Sequence, residues 1–226
     1  MKIVISIGGS VLVPDGMDAG YVKEFAGFIK ELSKKHEVSI VTGGGRLARN
    51  YIEAARKFGA SETSCDIIGI RATRMNASVL ISAIGNSANP EPPKSFLDAK
   101  KYLGAGKIVV MGGTHPGHST DGVAAMLAEY IGADLFINVS NVDGIYDNDP
   151  NKNPDAKLYG SISIDKVIGM ISGSSLGAGK YEMVDLLAAK VIQRSGIRCI
   201  FAGKDIRNLK NAIEGKKFTG TIVDRK

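Results

Sequence analysis

The sequence predicts an α/β fold with a mostly parallel sheet and helices on both faces. Three observations carry that prediction. Short Ile- and Val-rich runs alternate with amphipathic segments along the whole chain. Three of those runs end abruptly in glycines, at Gly8-Gly9, Gly43-Gly44-Gly45 and Gly112-Gly113. No linker and no fixed-period repeat interrupts the alternation. In such sheets, ligands bind beyond the carboxyl ends of the strands, where all three glycine turns fall.

Each element has its own justification. Residues 2–7 read as a buried strand, followed by Gly8-Gly9-Ser10 as the first turn. Asp18 is placed to cap a helix running to about residue 35, with Val22, Phe25, Ile29 and Leu32 on one face. Residues 38–42 form a second strand. The triple glycine then opens a helix that ends near Gly59. Glycine removes every Cβ from this turn, so a ligand can approach bare N–H groups at the positive end of the helix. Arg46 and Arg49 sit three apart on its first turn. A plain tight turn is the other reading.

Ser61-Glu62 opens a helix through Asp66, Arg71 and Arg74 to about Ile84. A loop with Pro and Asn covers 86–94, and a short helix covers 96–103. A strand at 107–111 ends in Gly112-Gly113, and the segment Thr114-His115-Pro116-Gly117-His118-Ser119-Thr120-Asp121 leads into an Ala-rich helix. A fourth strand, 134–140, enters a polar loop reaching about 158. Residues 164–171 read as helix, 173–179 as a Gly/Ser loop, 183–194 as an amphipathic helix, 197–201 as strand, 205–213 as helix and 219–224 as strand. The whole reads as one domain over 1–226, with a phosphate-acceptor lobe to 133 and a nucleotide lobe from 134.

Composition narrows the class. With 226 residues and a net charge of +6, the chain carries scattered basic residues and no basic block, which speaks against nucleic acid as partner. Two cysteines, Cys65 and Cys199, form no CxxC pair and suggest reduced thiols in a cytoplasmic protein. No signal peptide is visible, and no apolar stretch approaches membrane-spanning length.

Several chemistries fail on spacing. Gly179-Lys180 is followed by Tyr181, so a Walker A loop is absent, as is a GxGxxG dinucleotide turn. Asp147-Asn148-Asp149 begins like a calcium loop, but Lys152 and Leu158 occupy its glycine and final carboxylate positions. His115 and His118 lack further ligands nearby for a metal centre.

Ile-Gly-Gly-Ser at 7–10, Gly-Gly-Gly-Arg at 43–46 and Asn-Val-Asp-Gly-Ile-Tyr at 141–146, with Asp149-Pro150, are similar to motifs of the amino-acid kinase fold family. The run from Met111 to Asp121 resembles the uridylate (UMP) kinases of the archaeal branch. The motifs follow family order over essentially the full chain. The resemblance implies a three-layer αβα sandwich and transfer of the ATP γ-phosphoryl to UMP in pyrimidine nucleotide synthesis. It also implies Mg2+ carried on the ATP phosphates with no direct protein ligand, and a homohexamer.

The resemblance assigns residues as well. Gly9, Ser10 and Gly45 would cradle the ATP phosphates, and Ser140, Asn141, Tyr146 and Asp149 would form the ATP nucleoside site. Gly44, Asp66 and the loop Thr114, His115, Pro116, Gly117, His118, Ser119 and Thr120 would hold UMP, Asp66 through the ribose hydroxyls. Arg49 would grip phosphate bidentately, and Asp121 and Asp185 would be catalytic carboxylates. Helix-cap or ordinary helix roles for Asp121 and Asp185, a solvated position for Arg49 and a core position for Tyr146 remain the bland alternatives.

One departure stands out. Many family members carry a lysine two residues before the first turn glycine, and here that position is Ser6. Phosphoryl transfer needs its developing charge neutralised, so Arg49, Lys180 and magnesium are the candidate sources, with Lys180, in the Gly/Ser loop, the expected replacement cation. Other readings are a kinase of this fold acting on a carboxylate, carbamate or isopentenyl phosphate, and a non-catalytic nucleotide or oxyanion binder.

Overall fold

A computed structural model of the chain describes residues 1–173 and 184–224. Among them, seven strands form one sheet: β1 (Lys2–Ile7), β2 (Glu37–Thr42), β3 (Val109–Met111), β4 (Leu135–Ser140), β5 (Ser161–Ser163), β6 (Arg198–Gly203) and β7 (Thr221–Asp224). Their order is β3-β2-β1-β4-β6-β7-β5. Every pairing is parallel except β6 with β7. Strand order reverses between β1 and β4, so the crevice at their carboxyl ends is the topological switch point.

The helices are α1 (Gly9–Leu12), α2 (Ala19–Ser33), α3 (Gly45–Lys57), α4 (Glu62–Ile84), α5 (Phe96–Gly104), α6 (Thr120–Ile131), α7 (Ile164–Gly173), α8 (Leu186–Ser195) and α9 (Ile206–Ile213). Successive strand side chains point to opposite faces, and the core divides accordingly. Ile3, Ile5, Ile7, Ile137 and Val139 pack with Phe25, Ile29, Leu80 and Leu209 from α2, α4 and α9. Val4, Val41, Met111 and Phe136 pack with Val123, Leu127, Val167 and Val191 from α6, α7 and α8. Two apolar layers thus sandwich one sheet, the three-layer α/β architecture expected from the alternation.

Most caps are the residues expected. Asp18 accepts from the Tyr21 N–H at the start of α2 and Ser61 from the Ser64 N–H at the start of α4. Three expectations need correction, and one strand was not foreseen. Gly8-Gly9-Ser10 is not a simple turn but the entry to the one-turn helix α1. The segment Ser161–Ser163 is a strand, pairing with β7. The helix expected from 183 starts only at Leu186, because Asp185 is its extended N-cap. The stretch Glu62–Ser87, α4 with its short 3-10 extension, is long and apolar enough on average to cross a bilayer, with mean hydropathy 1.3. Here Cys65, Ala77, Leu80 and Ile84 of that helix are buried in the protein. It packs on α3, α2, β2 and β3.

The loop after β4 is pinned from a distance. The Thr221 hydroxyl accepts from the Ile145 N–H at 2.9 Å and donates to the Tyr159 carbonyl at 2.5 Å. Tyr146 bridges to Leu158 within the same loop.

Candidate active site

The first two glycine turns meet. A Cβ on Gly9 would fall on the Gly45 backbone and 2.7 Å from the Gly43 carbonyl carbon, so the two main chains lie in direct contact. Gly45 has a φ of +64°, a conformation that favours glycine. Across the switch point, the Gly8 N–H donates to the Val139 carbonyl at 2.9 Å, and the Asn141 amide donates to the Ser10 carbonyl at 3.4 Å. The carboxyl ends of β1, β2 and β4 are therefore stitched together.

The triple glycine is held from behind by α4. The buried Asn76 amide donates to the Gly43 and Gly44 carbonyls, at 2.8 and 3.2 Å. Thr42 donates to the Thr73 carbonyl, and the Thr73 hydroxyl accepts from the Gly113 N–H at 2.8 Å. A Cβ on Gly112 would meet the Thr73 Oγ1 at 2.5 Å, so the third glycine turn rests on the same helix. Arg74 donates to the Gly113 and Thr114 carbonyls.

A cavity of about 250 Å³ opens in front of this frame, lined by Gly44, Gly45, Arg49, Asp66, His115, His118 and Thr120 among others. Arg49 is exposed. Asp66 accepts from the Gly117 N–H at 2.8 Å, tying α4 to the loop ahead of α6. The His115 and His118 rings stand edge to face, 6.3 Å apart. Arg46 instead turns outward, to an ion pair with Asp15.

The cap of α6 is Ser119, not Asp121: its hydroxyl accepts from the Gly122 N–H at 3.0 Å. Ser119 also donates to Asp185 at 2.8 Å, and Asp185 caps α8 through the Ala188 N–H. The first turns of two helices are thus joined by one hydroxyl. Asp121 lies one residue inside α6, and its Oδ1 accepts from Ser6 at 2.6 Å and from Asn138 at 2.8 Å. Burial pushes the Asp121 carboxyl above its ordinary value; the Ser6 hydrogen bond opposes the rise, the charge of Asp185 adds to it, and the Asn138 hydrogen bond opposes it. A carboxylate pair placed where cations and phosphates would gather is a site signature.

On the other side of β4, Ser140 closes a small turn through the Val142 N–H and carbonyl. Tyr146 is half-buried, and burial together with Asp143 raises its phenol. Asp149 folds into its own loop, accepting from the Asn151 N–H at 3.0 Å and pairing with Lys152. Lys180 lies outside the described residues.

The sequence reading missed Thr73, Arg74 and Asn76 as builders of the site, and Asn138 as a partner of Asp121. A signal existed for two of them: Thr73 and Asn76 are polar residues three apart on the inward face of an apolar helix. Asn138 likewise interrupts the apolar strand Leu-Phe-Ile-Asn-Val. Among the described residues no three His, Cys, Asp or Glu side chains group closely enough to hold a metal ion.

Three glycine turns converging at a switch point, with carboxylates and an arginine around them, have the form that a phosphotransferase site requires. Residues 1–203 match the family model described as "Amino acid kinase family", and the chain belongs to that family. Within it the similarity runs to archaeal proteins named uridylate kinase. The chain is 46% identical to that of Methanobrevibacter smithii, covering all of both chains. It is 48% identical to that of Methanocaldococcus jannaschii, covering 99% of this chain and all of the relative. The solved uridylate kinase of Archaeoglobus fulgidus superposes with a TM-score of 0.88 at 44% identity, over 99% of this chain and all of that one.

Proposed function

We propose that the chain is a uridylate kinase, transferring the γ-phosphoryl of ATP to UMP to give ADP and UDP. The observation that carries this is full-length similarity to uridylate kinases together with a cavity built from the triple glycine and the 114–120 loop.

The family resemblance supplies the roles, and the geometry of the cavity supports them. Gly44, Asp66, Thr114, His115, Pro116, Gly117, His118, Ser119 and Thr120 take UMP, with Asp66 toward the ribose and main-chain N–H groups toward the phosphate. Gly9, Ser10 and Gly45 take the ATP phosphates; Ser140, Asn141, Tyr146 and Asp149 take its nucleoside. Direct contact between the Gly9 and Gly43–Gly45 backbones supports a donor and an acceptor meeting end to end, which is most of what phosphoryl transfer requires. Arg49 supplies a fork for the transferred group, Asp121 and Asp185 orient cationic groups around it, and Lys180 supplies the charge that Ser6 lacks. Residues 1–133 act mainly as the UMP lobe and 134–226 mainly as the ATP lobe.

Mg2+, bound through the ATP phosphates, would neutralise charge on the β- and γ-phosphoryl oxygens. The enzyme works in the cytoplasm as a homohexamer. Exposed Tyr51, Phe58, Ile67, Met75 and Val79 on or beside α3 and α4 support association, with Phe58 88% exposed.

A coupled assay of ADP formation tests the activity with UMP, CMP, dUMP and acetylglutamate, each with and without Mg2+. The expected result is turnover with UMP that depends on Mg2+. Turnover with acetylglutamate alone, or with no acceptor in the panel, overturns the reading.

A further inference from the structure

β1 and β4 run side by side at the centre of the sheet, and their register sets Ser6 directly opposite Asn138. Alternation turns both toward the layer that holds α6, on the face of Val4 and Phe136. Ser6 is fully buried and Asn138 is 6% exposed. Central parallel strands ordinarily carry apolar residues on both faces, and a buried polar group costs stability unless it finds a partner. Both side chains find the same one: Oδ1 of Asp121.

We propose that Ser6 and Asn138 are a matched pair of positioning residues that fix the Asp121 carboxylate and hold it ionised with two neutral donors. The inference rests on the reading of Asp121 as part of the phosphoryl-transfer machinery. It also explains the departure at position 6, where the family resemblance leads one to expect a lysine. Here that side chain is a short donor to the carboxylate instead of a cation.

The surroundings make such a pair necessary. Asp121 faces Asp185 at the start of α8, which disfavours its charge, and burial acts in the same direction. From β6 it faces the buried Cys199 thiol, which burial and Asp121 together push well above its ordinary value, so the thiol stays neutral. Among the described residues no basic side chain pairs with Asp121. Hydrogen bonds donated to the charged form are then what favours ionisation.

The test uses the full chain with Ser6→Ala, Asn138→Leu, Ser6→Thr and Asp121→Asn. Neither positioning residue needs to touch substrate, so Ser6→Ala and Asn138→Leu should each lower kcat roughly tenfold, the scale of a lost charged hydrogen bond. KM for UMP and for ATP should stay within about twofold. Loss of a donor raises the carboxyl pKa, so the acid limb of the kcat profile should move to higher pH. A 13C titration of the Asp121 carboxyl in the ligand-free protein should move the same way. Ser6→Thr, which keeps the hydroxyl, should restore both readouts.

An inactive Asp121→Asn beside unchanged kcat and acid limb in the two donor variants overturns the pair and leaves the role of Asp121 standing. Full activity in Asp121→Asn overturns that role, and the carboxyl titration still judges the pair: an unmoved pKa in the donor variants refutes it. If Asn138→Leu fails to fold, Ser6→Ala and Ser6→Thr decide the matter alone.

Discussion

Asp121 is held folded in an environment that resists its charge. Its folded pKa lies above the ordinary carboxylate value of 3.8, chiefly through burial. The folded state therefore binds this proton more tightly than the unfolded chain. The group's favourable contribution to stability is fully present below the ordinary value and is lost as pH rises through the raised one. Asp121→Asn should accordingly melt higher than the parent at pH 7, with the difference vanishing as pH falls below the ordinary carboxylate range. Thermal melts of both proteins across pH 3–8 check this, and phosphoryl transfer should fall in the same variant, the trade between stability and activity expected at a functional site. Arg49 lines the cavity from an exposed helix position, so its loss should spare the fold. Arg49→Ala should lower kcat/KM by about 100-fold, the scale of one electrostatic contact to a developing charge, and Arg49→Lys should recover only part, because it lacks the planar fork. Steady-state kinetics with an unchanged melting temperature would confirm that the loss is chemical.

At the level of the element, α4 ties the walls of the cavity together. Asn76 holds the triple glycine, Thr73 holds the third glycine turn, and Asp66 holds Gly117. Asn76→Leu removes the donor and strands the buried Gly43 carbonyl, while the part-buried Gly44 carbonyl keeps the Ala48 N–H, a loss of about 1–3 kcal/mol. The loosened turn should raise KM for UMP more than KM for ATP, which initial-rate kinetics with each substrate varied would separate. The sequence showed that α4 exists and where it starts, because Ser61 and Glu62 carry a cap signature and the apolar run is long. Beyond Asp66, which the family resemblance singled out, it did not show which residues face the site. Asp66 and Arg74 are charged and draw the eye, whereas Thr73 and Asn76 work through main-chain carbonyls and N–H groups contributed by turns far away in the chain. The glycine turns were legible because close backbone approach leaves a residue type as its trace. Ser161–Ser163 was not, because three residues, two of them serine, carry no periodicity; only pairing with β7 makes them a strand. Asp185 read as a helical residue for a related reason: local pattern cannot distinguish a cap from a first turn when apolar residues flank both.

For the whole molecule, the sheet order explains why residues more than 130 apart share one crevice. Ser10 follows β1 and Asn141 follows β4, and the two strands are neighbours only because the chain first built outward through β2 and β3 and then returned. A ligand that binds this assembled crevice cannot bind the unfolded chain. Saturation with UMP at about 100 times its Kd should therefore add roughly 2.7 kcal/mol of stability. For a chain of this size that raises Tm by about 5–10 °C, whereas uridine without its phosphate should give much less; differential scanning fluorimetry reads both. Sedimentation velocity at the same concentrations should return a single species of six copies.

The clasp formed by Thr221 has a consequence in time as well as in space. The residues that line the cavity in front of the triple glycine all lie between Gly44 and Thr120, so a ribosome has made them when little more than half of the chain is synthesised. The loop that carries Tyr146 emerges soon afterwards but has nothing to lock against until residues beyond 220 follow and slot in between β6 and β5. Until those residues arrive, the loop that carries Tyr146 lacks the Thr221 hydroxyl that takes the Ile145 N–H and binds the Tyr159 carbonyl, so the two ends of this region of the site are set by the earliest and the latest described strands.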